Sequence, residues 1–161
     1  DVYKRQRSIP RRSSKTSHLQ RENPIAAAKL EKDFWNQIRR WLKISTGLRF
    51  TRIESTATAG VPDLCICDKS GRFHFIELKV ITAYKVGLRP HQISWLTRHS
   101  HASAWILIRK QKNTETPAEL FLYQAQDAIE LAEVGVKLEP YVHQLSPFHL
   151  DKVFQAITNN P

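Results

Sequence analysis

The stretch from Gly60 to Lys79, Gly-Val-Pro-Asp-Leu-Cys-Ile-Cys-Asp-Lys-Ser-Gly-Arg-Phe-His-Phe-Ile-Glu-Leu-Lys, constrains the fold more than any other part of the chain. Two apolar runs, Leu64 to Cys67 and Phe73 to Val80, flank Asp68-Lys69-Ser70-Gly71, a cluster with the turn chemistry that joins antiparallel strands. Side chains alternate across a strand, so Glu77 and Lys79 share one face with Phe73 and Phe75, while His74, Ile76 and Leu78 take the other. On the partner strand Asp63 shares a face with Cys65 and Cys67. An Asp opening one strand and a Glu closing its hairpin partner therefore meet at the same end of the sheet.

Two carboxylates converging in this way suit a hard divalent cation such as Mg²⁺, which takes one or two protein carboxylates and leaves positions for water and phosphate. Lys79 follows Glu77 by two residues on the same face, about 6 to 7 Å further along the strand. From there an ammonium would hold an attacking water or stabilise charge developing on a phosphate. A plain surface Glu/Lys pair would contribute well under about 1 kcal/mol, so the pairing with Pro62-Asp63 gives the motif its weight.

Pro62-Asp63 followed by Glu77-x-Lys79, with a hairpin between, resembles the PD-(D/E)xK phosphodiesterase superfamily, the restriction-endonuclease-like nucleases. The fuller string Gly60-Val61-Pro62-Asp63-Leu64, Ile76-Glu77-Leu78-Lys79, then Gln92 and Trp95 is similar to its virus-type replication-repair nuclease (VRR-NUC) and Holliday-junction-resolvase-like branches. The resemblance spans roughly residues 25 to 125 and implies an α/β fold, a mixed central sheet flanked by helices in the order α-β-β-β-α-β. It implies that Asp63, Glu77 and the backbone carbonyl of Leu78 hold Mg²⁺, for which Mn²⁺ can substitute. Glu31 on the first helix would reach the metal directly or through water. Lys79 and Gln92 would orient the attacking water, with Trp95 packed in the core. The implied products are a 5′-phosphate and a 3′-hydroxyl.

The rest of the chain bounds this reading. With 161 residues, 41% hydrophobic and 25% charged, one globular domain is expected over residues 24 to 161. A formal charge of +10 favours a polyanionic partner. No apolar run is long enough to span a membrane, and the first helix mixes its charges, unlike a membrane-binding basic helix. Cys65 and Cys67 lack the second ligand pair of a zinc site and read as reduced thiols of a cytoplasmic protein; the family resemblance implies a bacterial or phage-encoded one. Asp1 to Gln6 resembles a translated transposase end from sequencing-library preparation and is set aside. The chain holds no methionine and begins with Asp, which fits a reading frame cut at its 5′ side.

Residues 7 to 23 read as a basic arm, whose arginines either contact phosphates without sequence preference or are merely solvated. Asn23-Pro24 starts a helix running to about Lys43 with an apolar stripe of Leu30, Phe34, Ile38, Trp41 and Leu42, and Glu31 falls toward its buried side. Glu54 is the rival acidic ligand, ahead of a small-residue loop ending at Gly60. A first strand spans Leu48 to Ile53, where Arg49 and Arg52 add charge near the site. Lys85 and Arg89 sit on the loop after the hairpin and would clamp phosphates. Pro90 opens a second helix; His91 reads as a surface histidine, and His99 and His101 near the helix end as residues favoured by its C-terminal dipole, not as metal ligands. Strands over Ala104 to Ile108 and Glu119 to Tyr123, a short helix Ala125 to Glu133, and a terminal helix from Ser146-Pro147 through Ile157 complete the expected order.

Two functions fit: a metal-dependent DNA endonuclease, structure-selective or nonspecific, in repair, recombination or phage replication; or a non-catalytic nucleic-acid-binding module on a nuclease fold. Junction resolution would need a homodimer presenting two sites.

Overall fold

A computed structural model describes residues 23–54 and 57–160. The leader and nearly all of the basic arm lie outside these residues, as do Ser55 and Thr56. The first helix, α1 (Pro24–Ile44), starts as its sequence dictates: Asn23 Oδ1 accepts the Ile25 N–H at 3.1 Å, and Pro24 occupies the first turn, where no N–H is needed. It buries Phe34, Ile38 and Leu42 at helical spacing. Ser45 closes it, and Gly47 follows with φ +89, a conformation a side chain would resist.

Strands β1 (Arg49–Arg52), β2 (Leu64–Cys67) and β3 (Phe73–Ile81) form an antiparallel meander. Helix α2 (Pro90–Arg98) then crosses over so that β4 (Ala104–Lys110) lies parallel to β3. Antiparallel strands β5 (Glu119–Gln124) and β6 (Val142–Leu145) complete a six-stranded mixed sheet in sequence order. Between them come a 3-10 turn (Ala125–Asp127) and α3 (Ala128–Val134); α4 (Leu150–Thr158) ends the described chain. The α-β-β-β-α-β order expected from the sequence is the order observed.

The middle of the sheet is buried on both faces, and β4 shows why it is apolar from Ala104 to Ile108. Trp105 and Leu107 meet the residues of α1 and α4, whereas Ile106 and Ile108 meet those of α2 and α3. Trp41 stacks on Phe154 at 4.7 Å, joining the two helices of the first face. Phe154→Ala is expected to cost about 3–5 kcal/mol, read as a lower midpoint in urea at unchanged m-value.

Two features differ from expectation. β6 is an additional edge strand, and the terminal helix begins at Leu150 instead of Ser146. The Ser146 N–H is given to the Ala118 carbonyl at 2.9 Å, extending the β5–β6 ladder. The Gln144 side chain then accepts from His149 N (2.8 Å) and donates to its carbonyl (3.1 Å), holding residues 146–149 as a connection.

The hairpin turn is tied down by polar contacts. Buried His74 bonds Ser103 Oγ through Nδ1 (2.6 Å) and Asp68 through Nε2 (3.0 Å), so its burial leaves no ring nitrogen unpaired. Arg72 donates to the Thr158 and Asn160 carbonyls, capping the C-terminal end of α4.

Candidate active site

The β2–β3 ladder runs from Cys67 opposite Phe73 to Leu64 opposite Ile76, so the next pair is Asp63 and Glu77. There the strands part. The Asp63 carbonyl turns to β1 and accepts the Ile53 N–H at 2.8 Å, while its carboxylate Oδ2 accepts the Leu78 N–H at 2.9 Å. A side chain thus replaces a backbone partner, and Pro62, with no N–H to give, does not prolong the ladder.

Glu77 faces α2 and is only 1% exposed. Its Oε1 receives Lys79 Nζ at 3.1 Å and Gln92 Nε2 at 2.5 Å. Gln92 Oε1 in turn accepts the Arg89 N–H at 3.0 Å, so this one amide links the buried carboxylate to the start of α2. Its Nε2 is directed at Glu77, whereas the motif resemblance aims Gln92 at water or phosphate. Trp95 lies on the same helix, 5.5 Å from Phe75 and packed against the second core cluster.

The electrostatics follow from burial. Desolvation, then the neighbouring Asp63 charge, pushes the Glu77 carboxyl up to about 7 against the opposing pull of Lys79, and Glu31 adds to the rise. Desolvation also raises Asp63, opposed by the Leu78 N–H, Lys79 and Arg52. The Lys79 ammonium, 13% exposed, and the Arg52 charge acting on Asp63 do not offset this burial: both carboxyls stay above their ordinary values.

No family model matches this chain. No curated protein matches it either. Among solved structures, it is similar to Archaeoglobus fulgidus Hjc, a Holliday junction resolvase from an archaeal hyperthermophile. The match covers 62% of this chain and 77% of that one, at 16% identity and a TM-score of 0.38. A likeness this slight says nothing about what this chain binds or cuts.

The donor chemistry fits a hard divalent cation: all-oxygen ligands, two converging carboxylates, and a charge deficit that a dication would offset. Among the described residues no group of three or more His, Cys, Asp or Glu side chains forms a metal cage, so water, backbone oxygen or substrate would complete the shell. Glu31 is exposed, contrary to its expected buried placement, because α1 ends its tight contact at Phe34. It nevertheless lines a crevice of about 40 Å³ with Asp63, Leu78 and Arg52.

The structure gathers Asp63, Glu77, Leu78, Lys79 and Gln92, with Glu31, Arg52 and Arg89 around them. It does not gather the other two predicted cations. Arg49 stands opposite Cys67, at the turn end of the sheet. Lys85 belongs to a loop drawn toward the C-terminal segment, where the Val136 N–H donates to the Tyr84 carbonyl at 2.9 Å and Lys137 covers the Tyr84 ring. Glu54 pairs with Arg52 at 3.4 Å.

Sequence reasoning missed two supports. Trp35 carries the Arg52 guanidinium 4.8 Å above its ring, a contact between elements that no local pattern reports. Gly60, the end of the small-residue loop, has φ +89 and abuts α2: a Cβ there would lie 2.2 Å from the His91 carbonyl oxygen.

Proposed function

We propose that this chain is a metal-dependent nuclease that hydrolyses phosphodiester bonds in DNA, of the PD-(D/E)xK type and nearest to the VRR-NUC and Holliday-junction-resolvase-like branches. One observation carries the reading: a fully buried glutamate, bonded by Lys79 and Gln92, stands where the strands part opposite Asp63. A structural ion pair would be better satisfied without the second carboxylate, whose charge only raises the cost of burying the first.

Asp63, Glu77 and the Leu78 carbonyl would hold Mg²⁺ or Mn²⁺, with Glu31 reaching it through water. The cation supplies Lewis-acid polarisation of the scissile phosphate and a more acidic water. Lys79, 13% exposed and fixed against Glu77, places one ammonium at the edge of the pocket, where it orients the nucleophile and offsets charge on the phosphate. Gln92 keeps the Glu77 carboxylate in one orientation by bonding it from a helix start fixed by Pro90. Arg52 and Arg89 contact the flanking phosphates. In-line attack leaves a 5′-phosphate and a 3′-hydroxyl. The work is done in the cytoplasm of a bacterium or a phage host, and by a homodimer if the substrate is a four-way junction. No helix among the described residues is long and apolar enough to cross a membrane.

The test is a panel of end-labelled single strand, duplex, flap and four-way junction incubated with Mg²⁺, Mn²⁺ or EDTA. Cutting in either metal and none in EDTA is the expected result. Salt-dependent binding of every substrate with no cutting in any metal would replace the nuclease with a binding module.

A further inference from the structure

A second cavity, of about 380 Å³, opens between the loop before β2 and the start of α2. Asp63 and Gln92 stand in its wall, so it is continuous with the candidate active site. Its volume exceeds what an ion needs and falls in the roughly 300–1,000 Å³ range of small-ligand sites, while a stacked base pair within a duplex cannot enter a recess of this size. Its walls carry the chemistry of a nucleotide site. Arg52 and Arg89 bring two guanidinium groups, and exposed His91 brings an imidazole. Such groups bind phosphate oxygens, and their flat faces stack on unpaired bases.

Two contacts brace the cavity's described walls. Gly60 lets the loop backbone rest against the His91 carbonyl, where any side chain would collide. Arg52 is held between the Trp35 ring at 4.8 Å and the Glu54 carboxylate at 3.4 Å. A groove made only to follow a continuous duplex backbone would need surface cations and no recess.

We propose that this recess receives one unpaired nucleotide of the strand being cut, next to the scissile phosphate, so that the chain selects nucleic acid whose nucleotide at that position is out of the base stack. The proposal rests on the phosphodiester reading of the Asp63–Glu77 site and adds the substrate class. A paired base must be swung out of the helix to enter, at an energetic cost that is smallest where the base is mismatched, in a flap or single-stranded.

The test places 2-aminopurine beside the cut position of a flap, a mismatched duplex and a fully paired duplex, and titrates each with the full chain in EDTA, so that no bond is broken. Unstacking into the recess is expected to raise the fluorescence, with the flap and mismatch bound at least about tenfold tighter than the paired duplex. Ala59→Trp, which places an indole on the cavity wall, is expected to abolish the rise and most of that preference. Fluorescence that stays quenched, with all three bound equally, overturns the proposal. Failure of the nuclease reading looks different: a bright, selective signal in EDTA with no cutting in Mg²⁺ keeps the recess and removes the catalysis.

Discussion

Lys79→Ala is expected to lower kcat for DNA cleavage by about 10²–10³-fold, the effect of removing one charge-stabilising group from a buried site. Its KM is expected to stay within about threefold of the wild-type value, because phosphate contacts elsewhere set affinity. The distinction follows from geometry. Lys79 is fixed 3.1 Å from Glu77 and mostly buried, whereas Arg52 and Arg89 stand on the walls of the adjoining cavity. Removing the ammonium also deletes a force that holds the Glu77 value down, so the variant's carboxyl should rise further. Lys79→Arg, with its charge spread over a larger plane, is expected to recover little activity. A Lys79→Ala protein that cuts at close to the wild-type rate and melts at the wild-type temperature would remove Lys79 from the mechanism.

Glu77→Gln is expected to stabilise the metal-free protein at pH 8 and to flatten its pH dependence between about pH 5 and pH 8. The fold raises this carboxyl from 4.5 to about 7, so the native state binds the proton more tightly than the unfolded chain does. Stability from this group is greatest in the protonated form and declines as pH rises through that window, by on the order of 3 kcal/mol. Asp68 acts oppositely and elsewhere. The Ser70 hydroxyl and then the His74 ring hold it well below the usual carboxylate range, so its contribution persists at neutrality and is lost only in acid. Thermal melts of both proteins against pH isolate the Glu77 contribution as the difference between the two profiles. Adding Mg²⁺ or Mn²⁺ at pH 8 should raise the wild-type melting temperature and leave that of Glu77→Gln nearly unchanged. Parallel wild-type and variant profiles, with equal metal responses, would contradict the assignment.

Much of this was legible in the sequence because the hairpin encodes it locally. Period-two alternation around Asp68-Lys69-Ser70-Gly71 fixes the β2–β3 register, and the register alone sets Asp63 opposite Glu77. Asn23-Pro24 and Pro90 mark helix starts by backbone chemistry and were equally readable. What escaped depends on contacts between distant segments. β6 has only four residues on an exposed edge, and Val142-His143-Gln144-Leu145 alternates too briefly to stand out. Glu31 is exposed yet lines the crevice beside Asp63, a placement set by how α1 lies against the sheet, which its own spacing does not encode. Arg49 and Arg52 end one short strand, and only the ladder shows that the Arg52 end lies at the site.

Cleavage of one labelled flap substrate by wild type and Asp63→Ala, side by side in Mg²⁺ and in EDTA, tests the central claim most directly. Circular dichroism melts of the same preparations report whether the variant is folded. The account predicts metal-dependent cutting by the wild type and none above background by a folded Asp63→Ala protein. Cleavage by that variant at the wild-type rate would mean that bond breaking occurs elsewhere on the chain.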